Sequence, residues 1–103
     1  MIKVGELFEK SYEDMMSEAY LNALKSVDNG MDQKEIQAAW LGTCIGSIIK
    51  REVLTGASLA EPLSFVPRPV SRLENACATG SDSFRNACFA VASGAYDVAL
   101  ALG

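Results

Sequence analysis

Apolar side chains recur at helical spacing through the first third of the chain. Ser11 precedes this stretch, and Asp14 lies three residues after Ser11. This is the arrangement of a capping box at a helix N-terminus. The Asp-Asn-Gly turn at residues 28–30 ends the pattern. The sequence therefore predicts one amphipathic helix over residues 12–27, whose inner face consists of Tyr12, Met15, Met16, Ala19, Ala23, Leu24 and Val27.

Three short apolar runs predict β-strands at residues 36–42, 70–75 and 97–102. The first run is apolar at most positions, as the buried strands of parallel sheets are. Helices that alternate with such strands indicate a layered α/β architecture with a parallel sheet. A second long helix is predicted between the last two strands, with an inner face formed by Phe84, Ala87, Cys88, Val91 and Ala95.

The segment between the first two strands carries mixed signals. Ile48, Ile49 and Leu54 favour a short helix, although small residues interrupt the pattern. Residues 62–69 contain three prolines, which predict extended backbone immediately before the second strand.

Composition and charge exclude several classes of function. The chain has 103 residues, half of them hydrophobic, so one small domain with a modest core is expected. Its net charge of -4, without a dense Lys/Arg run, argues against binding to nucleic acid or to an anionic membrane. The longest weakly polar stretch, residues 38–49, falls short of the roughly 20 apolar residues of a membrane span. The charged N-terminus is unlike a signal peptide, so we expect a cytoplasmic protein.

The candidate chemistry lies in the cysteines. Their odd number and irregular spacing favour reduced thiols over a disulfide framework. Cys77 lies between the second predicted strand and the helix, where unpaired backbone N–H groups and the helix dipole stabilise a thiolate. Its neighbours are small, so a bulky acyl group and backbone donors can both approach the sulfur. The alternative is an inert small hydrophobe in a tight turn.

The other candidate residues have simpler interpretations. Cys88 lies on the predicted inner face of the helix, which favours packing over chemistry. Burial is also favoured for Cys44, which could otherwise line a pocket. Glu74 and Asn75 could orient the turn through hydrogen bonds from side chain to backbone. With no Cys-x-x-Cys pair and no histidine, no zinc site is expected.

The residues around Cys77 resemble the nucleophile region of the thiolases. Residues 75–81 read Asn-Ala-Cys-Ala-Thr-Gly-Ser, and they are followed by Phe-Arg-Asn-Ala-Cys-Phe-Ala at 84–90 and Ser-Gly-Ala-Tyr-Asp-Val-Ala-Leu at 93–100. This series is most similar to the archaeal and bacterial branch related to sterol-carrier-type thiolases. The resemblance implies that residues 1–103 form a partial N-terminal thiolase domain, an incomplete part of a layered α/β/α fold with a mostly parallel sheet.

The resemblance also implies that the first strand of the family fold is truncated or lost. Thiolases open with a glycine-bearing apolar strand, whereas only Ile-Lys-Val-Gly at residues 2–5 stands in its place here. Because that strand lies centrally in the family sheet, its loss is expected to separate strands that should be neighbours.

The activity implied by the resemblance is that of a thiolase-type acyltransferase, an acetyl-CoA acetyltransferase. Such an enzyme forms or cleaves a 3-ketoacyl-coenzyme A through an acyl-enzyme, with Cys77 as the catalytic nucleophile. Its substrates are coenzyme A thioesters, and no bound cofactor is implied. Basic residues could meet the coenzyme A phosphates, although scattered surface cations are the commoner outcome; the candidates are Lys50, Arg51, Arg68 and Arg72.

Partners and alternatives complete these expectations. The resemblance implies a homo-oligomer, a dimer or tetramer, in the complete protein, and an OB-fold partner protein. Since the chain contains no histidine to assist acyl transfer, we expect it to be inactive alone. Two alternatives remain open: a non-enzymatic lipid-binding or regulatory thiolase-like module, and an inert fragment that packs against a missing complement.

Overall fold

The structure is a computed structural model that describes residues 5–46, 48, 51, 56 and 60–103. The short helix predicted from Ile48, Ile49 and Leu54 lies outside the described residues, apart from Ile48 itself. The other predicted helices and strands are present. In chain order the elements are helix α1 (Tyr12–Ser26), a 3-10 turn (Gln33–Glu35), strand β1 (Ala38–Gly42), strand β2 (Val70–Leu73), a second 3-10 turn (Ala76–Ala78), helix α2 (Thr79–Ala92) and strand β3 (Ala99–Leu102).

Helix α1 begins at the predicted capping box. The Ser11 hydroxyl accepts a hydrogen bond from the Asp14 N–H at 3.1 Å, and the Ser11 N–H donates to the Asp14 carboxylate at 2.9 Å. The predicted inner face is only partly right, because the buried row runs at intervals of four residues through Tyr12, Met16, Tyr20 and Leu24. Tyr20 is 2% exposed, whereas the predicted Ala23 and Val27 are exposed. A helix that packs against one flat surface buries only the i, i+4 row that faces this surface, although its apolar stripe is wider.

Acid is expected to weaken this helix start. Hydrogen bonds from the Ser11 backbone and hydroxyl hold the pKa of Asp14 below its ordinary value of 3.8. A lowered carboxyl pKa contributes stability that is present above the ordinary value and is lost as the pH falls through the folded-state value. Ser11→Ala removes the cap and should cost about 1 kcal/mol at neutral pH. In urea titrations the difference between wild type and S11A should shrink on acidification below the ordinary pKa, and a pH-independent difference would contradict this account.

The three strands form one parallel sheet in the order β2-β1-β3. Ala39 of β1 lies opposite Val70 of β2 on one side and opposite Leu100 of β3 on the other. The parallel α/β class is therefore confirmed. The expectation that a lost first strand would separate neighbouring strands is wrong, because β1 pairs directly with both of its neighbours.

The helices cover opposite faces of this sheet. Side chains alternate between faces along a strand, so Ala39 and Leu41 point to one side and Ala38 and Trp40 to the other. The first side meets α1 in the hydrophobic core, where Leu100 also packs. On the second side α2 lies against β1 and β3. The result is a layered α/β/α arrangement. None of the helices in the described part of the chain has both the length and the apolar character of a membrane-spanning segment.

Residues 60–69 close the core with turns instead of the predicted extended backbone. The Phe65 N–H donates to the Ala60 carbonyl at 2.6 Å, and the Arg68 N–H donates to the Phe65 carbonyl at 2.6 Å. Proline fixes φ at a value that turns accept as readily as extended chain, which explains the difference. The turns insert Phe65, which is fully buried, against the ring of Tyr20.

The inner face of α2 differs from the prediction. Its buried residues are Thr79, Ser83 and the predicted Ala87. These small side chains let the helix lie close to the sheet, and the Ser83 hydroxyl donates to the Trp40 carbonyl at 2.7 Å. Close approach of two backbones favours small residues over large apolar ones. The other predicted face residues are exposed, namely Phe84, Cys88, Val91 and Ala95.

Candidate active site

Cys77 lies in the turn that leads from β2 into α2, as the sequence predicts. It is the middle residue of the 3-10 turn Ala76–Ala78, one position before the N-cap of α2, Ala78. The thiol is exposed. The parallel strand and the helix that follows it therefore carry a cysteine to the carboxyl end of the sheet, where ligands of open α/β sheets usually bind. Its role as nucleophile stays a prediction.

The backbone immediately before Cys77 is strained. Ala76 has a φ of 45°, in the left-handed region that a non-glycine residue rarely occupies. Such a conformation costs about 1–3 kcal/mol and persists only where surrounding bonds enforce it. Here the Ala76 N–H donates to the Glu74 carboxylate at 2.6 Å, and the Ala78 N–H donates to the Asn75 carbonyl at 2.9 Å. Glu74 thus makes the predicted bond from side chain to backbone, whereas the Asn75 side chain makes no capping bond.

Thr79 adds a second set of bonds that sequence reasoning missed. Its hydroxyl accepts a hydrogen bond from the Asn75 N–H at 2.8 Å and donates to the Ala76 carbonyl at 2.6 Å. The residue is only 6% exposed. The signal available in the sequence was a threonine two positions after the cysteine, at the start of a helix, where hydroxyl side chains commonly bond to the backbone.

Gly42 permits this placement of the α2 N-terminus. A Cβ atom at Gly42 would lie 3.0 Å from the Thr79 carbonyl oxygen and 3.1 Å from the Thr79 Cγ2. Both distances are too short for an unstrained contact, and one involves backbone that cannot move alone. The glycine at the end of β1 thus lets the first turn of α2 rest directly on the sheet.

The surface around Cys77 is open. Gly80 is exposed, and an added Cβ atom there would meet nothing within 4 Å. A shallow depression of about 170 Å³ adjoins the turn, and it is lined by Asn75, Ala78, Ser81, Asp82 and Arg85. The Arg85 guanidinium donates to the Asp82 carboxylate at 2.5 Å, so its charge is partly compensated. Small side chains and open space leave room for a large thioester at the sulfur.

The structure corrects the environment of the other two cysteines. Cys88 and Cys44 are both exposed, so their predicted burial is wrong. Cys88 lies outside the buried row of α2, which consists of small residues. It lines an open apolar groove of about 490 Å³ together with Phe84, Ala87, Val91, Ala92, Ala99 and Ala101.

Two of the predicted cations bind backbone carbonyls of this chain. Arg68 has a structural role, because its guanidinium donates to the carbonyls of Gln33 and Ile36 and stacks 4.4 Å from the centre of the Phe65 ring. Arg72 is half-buried and donates to the Thr43 carbonyl at 3.4 Å. Arg51 is exposed, and Lys50 lies outside the described residues. No group of three His, Cys, Asp or Glu residues that could hold a metal ion occurs in the described part of the chain.

The described residues thus form part of an α/β protein, with an exposed thiol as candidate nucleophile at the carboxyl end of its parallel sheet. Two curated proteins extend that description. The chain is 33% identical over 101 residues to an acetyl-CoA acetyltransferase of Methanothermobacter thermautotrophicus, covering 98% of this chain and 26% of that protein. It is 36% identical over 101 residues to an acetyl-CoA acetyltransferase of Methanocaldococcus jannaschii, covering 98% of this chain and 25% of that protein.

The chain thus spans about a quarter of the length of the curated relatives that it matches. No protein-family model matches it. The chain is therefore similar, along nearly its whole length, to one segment of these two acetyl-CoA acetyltransferases.

Proposed function

We propose that this chain is one piece of a thiolase-type acyltransferase and that Cys77 carries the acyl group. The observation that supports the proposal most directly is the exposed thiol on the strained turn between β2 and α2, in a chain similar to named acetyl-CoA acetyltransferases. An exposed thiol beside the first turn of a helix has the placement of a reactive cysteine.

The proposed reaction has two stages. The Cys77 thiolate attacks the thioester carbonyl of an acyl-coenzyme A, and the coenzyme A thiolate departs and takes up a proton. The acyl group then remains on Cys77 as a thioester. In the second stage a base removes an α-proton from another acyl-coenzyme A, and the resulting enolate attacks the acyl thioester, forming a carbon–carbon bond and releasing the Cys77 thiolate. In the reverse direction, the Cys77 thiolate attacks the 3-keto carbonyl of a 3-ketoacyl-coenzyme A, the acyl-coenzyme A enolate departs and takes up a proton, and free coenzyme A then accepts the acyl group from Cys77.

Within this chain, the backbone at the start of α2 has a defined part in that reaction. The first N–H groups of a helix have no partners within the helix and attract negative charge. They are suited to stabilise the oxyanion that develops on the thioester carbonyl. The small residues beside Cys77 allow the carbonyl to reach them.

The rest of the machinery is proposed to come from other parts of a longer polypeptide. The chain contains no histidine that could transfer protons or stabilise the enolate. Two exposed aromatic rings on α2 also support the proposal, since Phe84 is 65% exposed and Phe89 is 62% exposed. Apolar surface of this kind is usually covered by further protein. The proposal extends to a cytoplasmic homo-oligomer with an OB-fold partner, as the family resemblance implies.

The nucleophile assignment can be tested by competition among the three thiols. All three cysteines are exposed, so access alone does not separate them. Because Cys77 adjoins the N-terminus of α2 among small residues, iodoacetamide at neutral pH should modify it before Cys44 and Cys88. Peptide mapping by mass spectrometry over a time course gives the three rates. Equal rates, or faster modification of either other cysteine, would refute the assignment.

A further inference from the structure

We propose that Thr79 is a positioning residue that, with Glu74, holds the Cys77 turn in its reactive shape. The inference rests on the proposed function only in taking Cys77 as the reacting thiol. What carries it is a set of three short hydrogen bonds that close around the strained Ala76 peptide from both sides.

The bonds enclose the cysteine. Thr79 lies two residues after Cys77, and its hydroxyl reaches back to the Asn75 N–H and the Ala76 carbonyl, which precede it. Glu74 reaches forward to the Ala76 N–H. Both polar groups of Ala76 are therefore bound by side chains. A left-handed alanine relaxes to a negative φ unless such bonds prevent it, and that relaxation would move Cys77 relative to α2.

The Thr79 hydroxyl has little freedom to do anything else. The residue is 6% exposed, and its Cγ2 and carbonyl lie over Gly42, so the sheet fixes the direction of the side chain. The hydroxyl acts as donor and as acceptor in the same turn. Valine has the same shape without the hydroxyl, and it would leave the Asn75 N–H and the Ala76 carbonyl without these partners.

The test is the rate at which iodoacetamide modifies Cys77 in Thr79→Val, with Cys44 and Cys88 as internal references in the same molecule. We expect Cys77 to react about tenfold more slowly relative to the references, the factor that corresponds to about one lost hydrogen bond. Thr79→Ser keeps the hydroxyl and should restore most of the wild-type rate. Urea unfolding of each variant measures stability separately.

Ser83→Ala is the matched control for a purely structural effect. Ser83 is 1% exposed, lies one turn further along α2 and donates to the Trp40 carbonyl instead of the Cys77 turn. Its loss should lower stability and leave the relative rate of Cys77 unchanged. If Thr79→Val and Ser83→Ala change the Cys77 rate equally, or if Thr79→Ser fails to restore it, Thr79 has no positioning role.

Variants of Glu74 provide a second test. Because the Glu74 side chain is exposed, replacing it does not change the packing of the core. Glu74→Gln keeps an acceptor oxygen and removes the charge, whereas Glu74→Ala removes both. A slower Cys77 rate in Glu74→Ala than in Glu74→Gln therefore measures the hydrogen bond to Ala76 alone. Equal rates in these two variants would show that the hydrogen bond between Glu74 and the Ala76 N–H does not hold Cys77 in its reactive position. Neither outcome bears on whether Cys77 transfers acyl groups, so failure here is distinguishable from failure of the proposed function.

Discussion

Replacing Phe65 with alanine is expected to lower the free energy of unfolding by about 3–5 kcal/mol. The ring is fully buried at the centre of the core and packs edge-on against Tyr20, with ring centres 6.0 Å apart. On its other side the Arg68 guanidinium stacks over the ring. Alanine would leave a cavity that the surrounding turns and β1 cannot fill without moving, since the turns are tied by their own hydrogen bonds.

Phe84→Ala is the matched control, because it removes the same atoms from a ring that is 65% exposed. It should change the free energy of unfolding by less than about 0.5 kcal/mol. Urea titration followed by circular dichroism measures both variants under one condition. Losses of similar size would show that the buried face of α2 has been assigned wrongly and that Phe84 packs in the core.

The contrast between these two phenylalanines shows where sequence patterning stops being informative. Both rings stand in apolar surroundings in the sequence, and helical periodicity favours Phe84 as the buried one. The structure buries Phe65, which lies in a proline-flanked turn without any periodicity. Periodicity identifies an apolar stripe but not which neighbour covers it. The sheet packs against the row of small residues on α2, and the large apolar side chains of this helix stay exposed.

Local chemistry was more predictable than packing. The capping box at Ser11 follows from a hydroxyl that stands three residues before a carboxylate. The buried parallel strands follow from short apolar runs. Both signals are local in the sequence. The position of Cys77 between β2 and α2 follows in the same way.

Of the side-chain hydrogen bonds that hold the Cys77 turn, only some could be predicted from the sequence. Glu74 lies two residues before Ala76, so its bond to the Ala76 N–H is of a common local type. The left-handed φ of Ala76 has no signature in the sequence, because alanine is not a residue that favours it. The close approach of Thr79 to Gly42, which lets the first turn of α2 rest on the sheet, joins residues far apart in the chain and has no local signature either.

The largest effect on activity is expected when the chain is assayed alone and within an acetyl-CoA acetyltransferase of the kind to which it is similar. Alone, it should not cleave acetoacetyl-coenzyme A above background. General acid–base assistance is worth about 10²–10⁴-fold, and each lost oxyanion donor removes a further 10² to 10³ or so. A chain without histidine cannot supply imidazole for either task. Acylation of Cys77 would then be slow, because the acetyl-coenzyme A enolate that leaves when the carbon–carbon bond breaks would find no imidazolium to protonate it.

A chimera provides the matched comparison. In it, this chain replaces the segment of the Methanothermobacter thermautotrophicus acetyltransferase to which it is 33% identical. Thiolysis of acetoacetyl-coenzyme A should appear in the chimera and fall by about 10⁴-fold or more in its Cys77→Ala form, because the thiol proposed to accept the acyl group is absent. Size-exclusion chromatography and circular dichroism of both forms establish that they share one fold. Robust turnover by the isolated chain would show that it is not a dependent piece, and unchanged turnover in the Cys77→Ala chimera would remove Cys77 from the reaction.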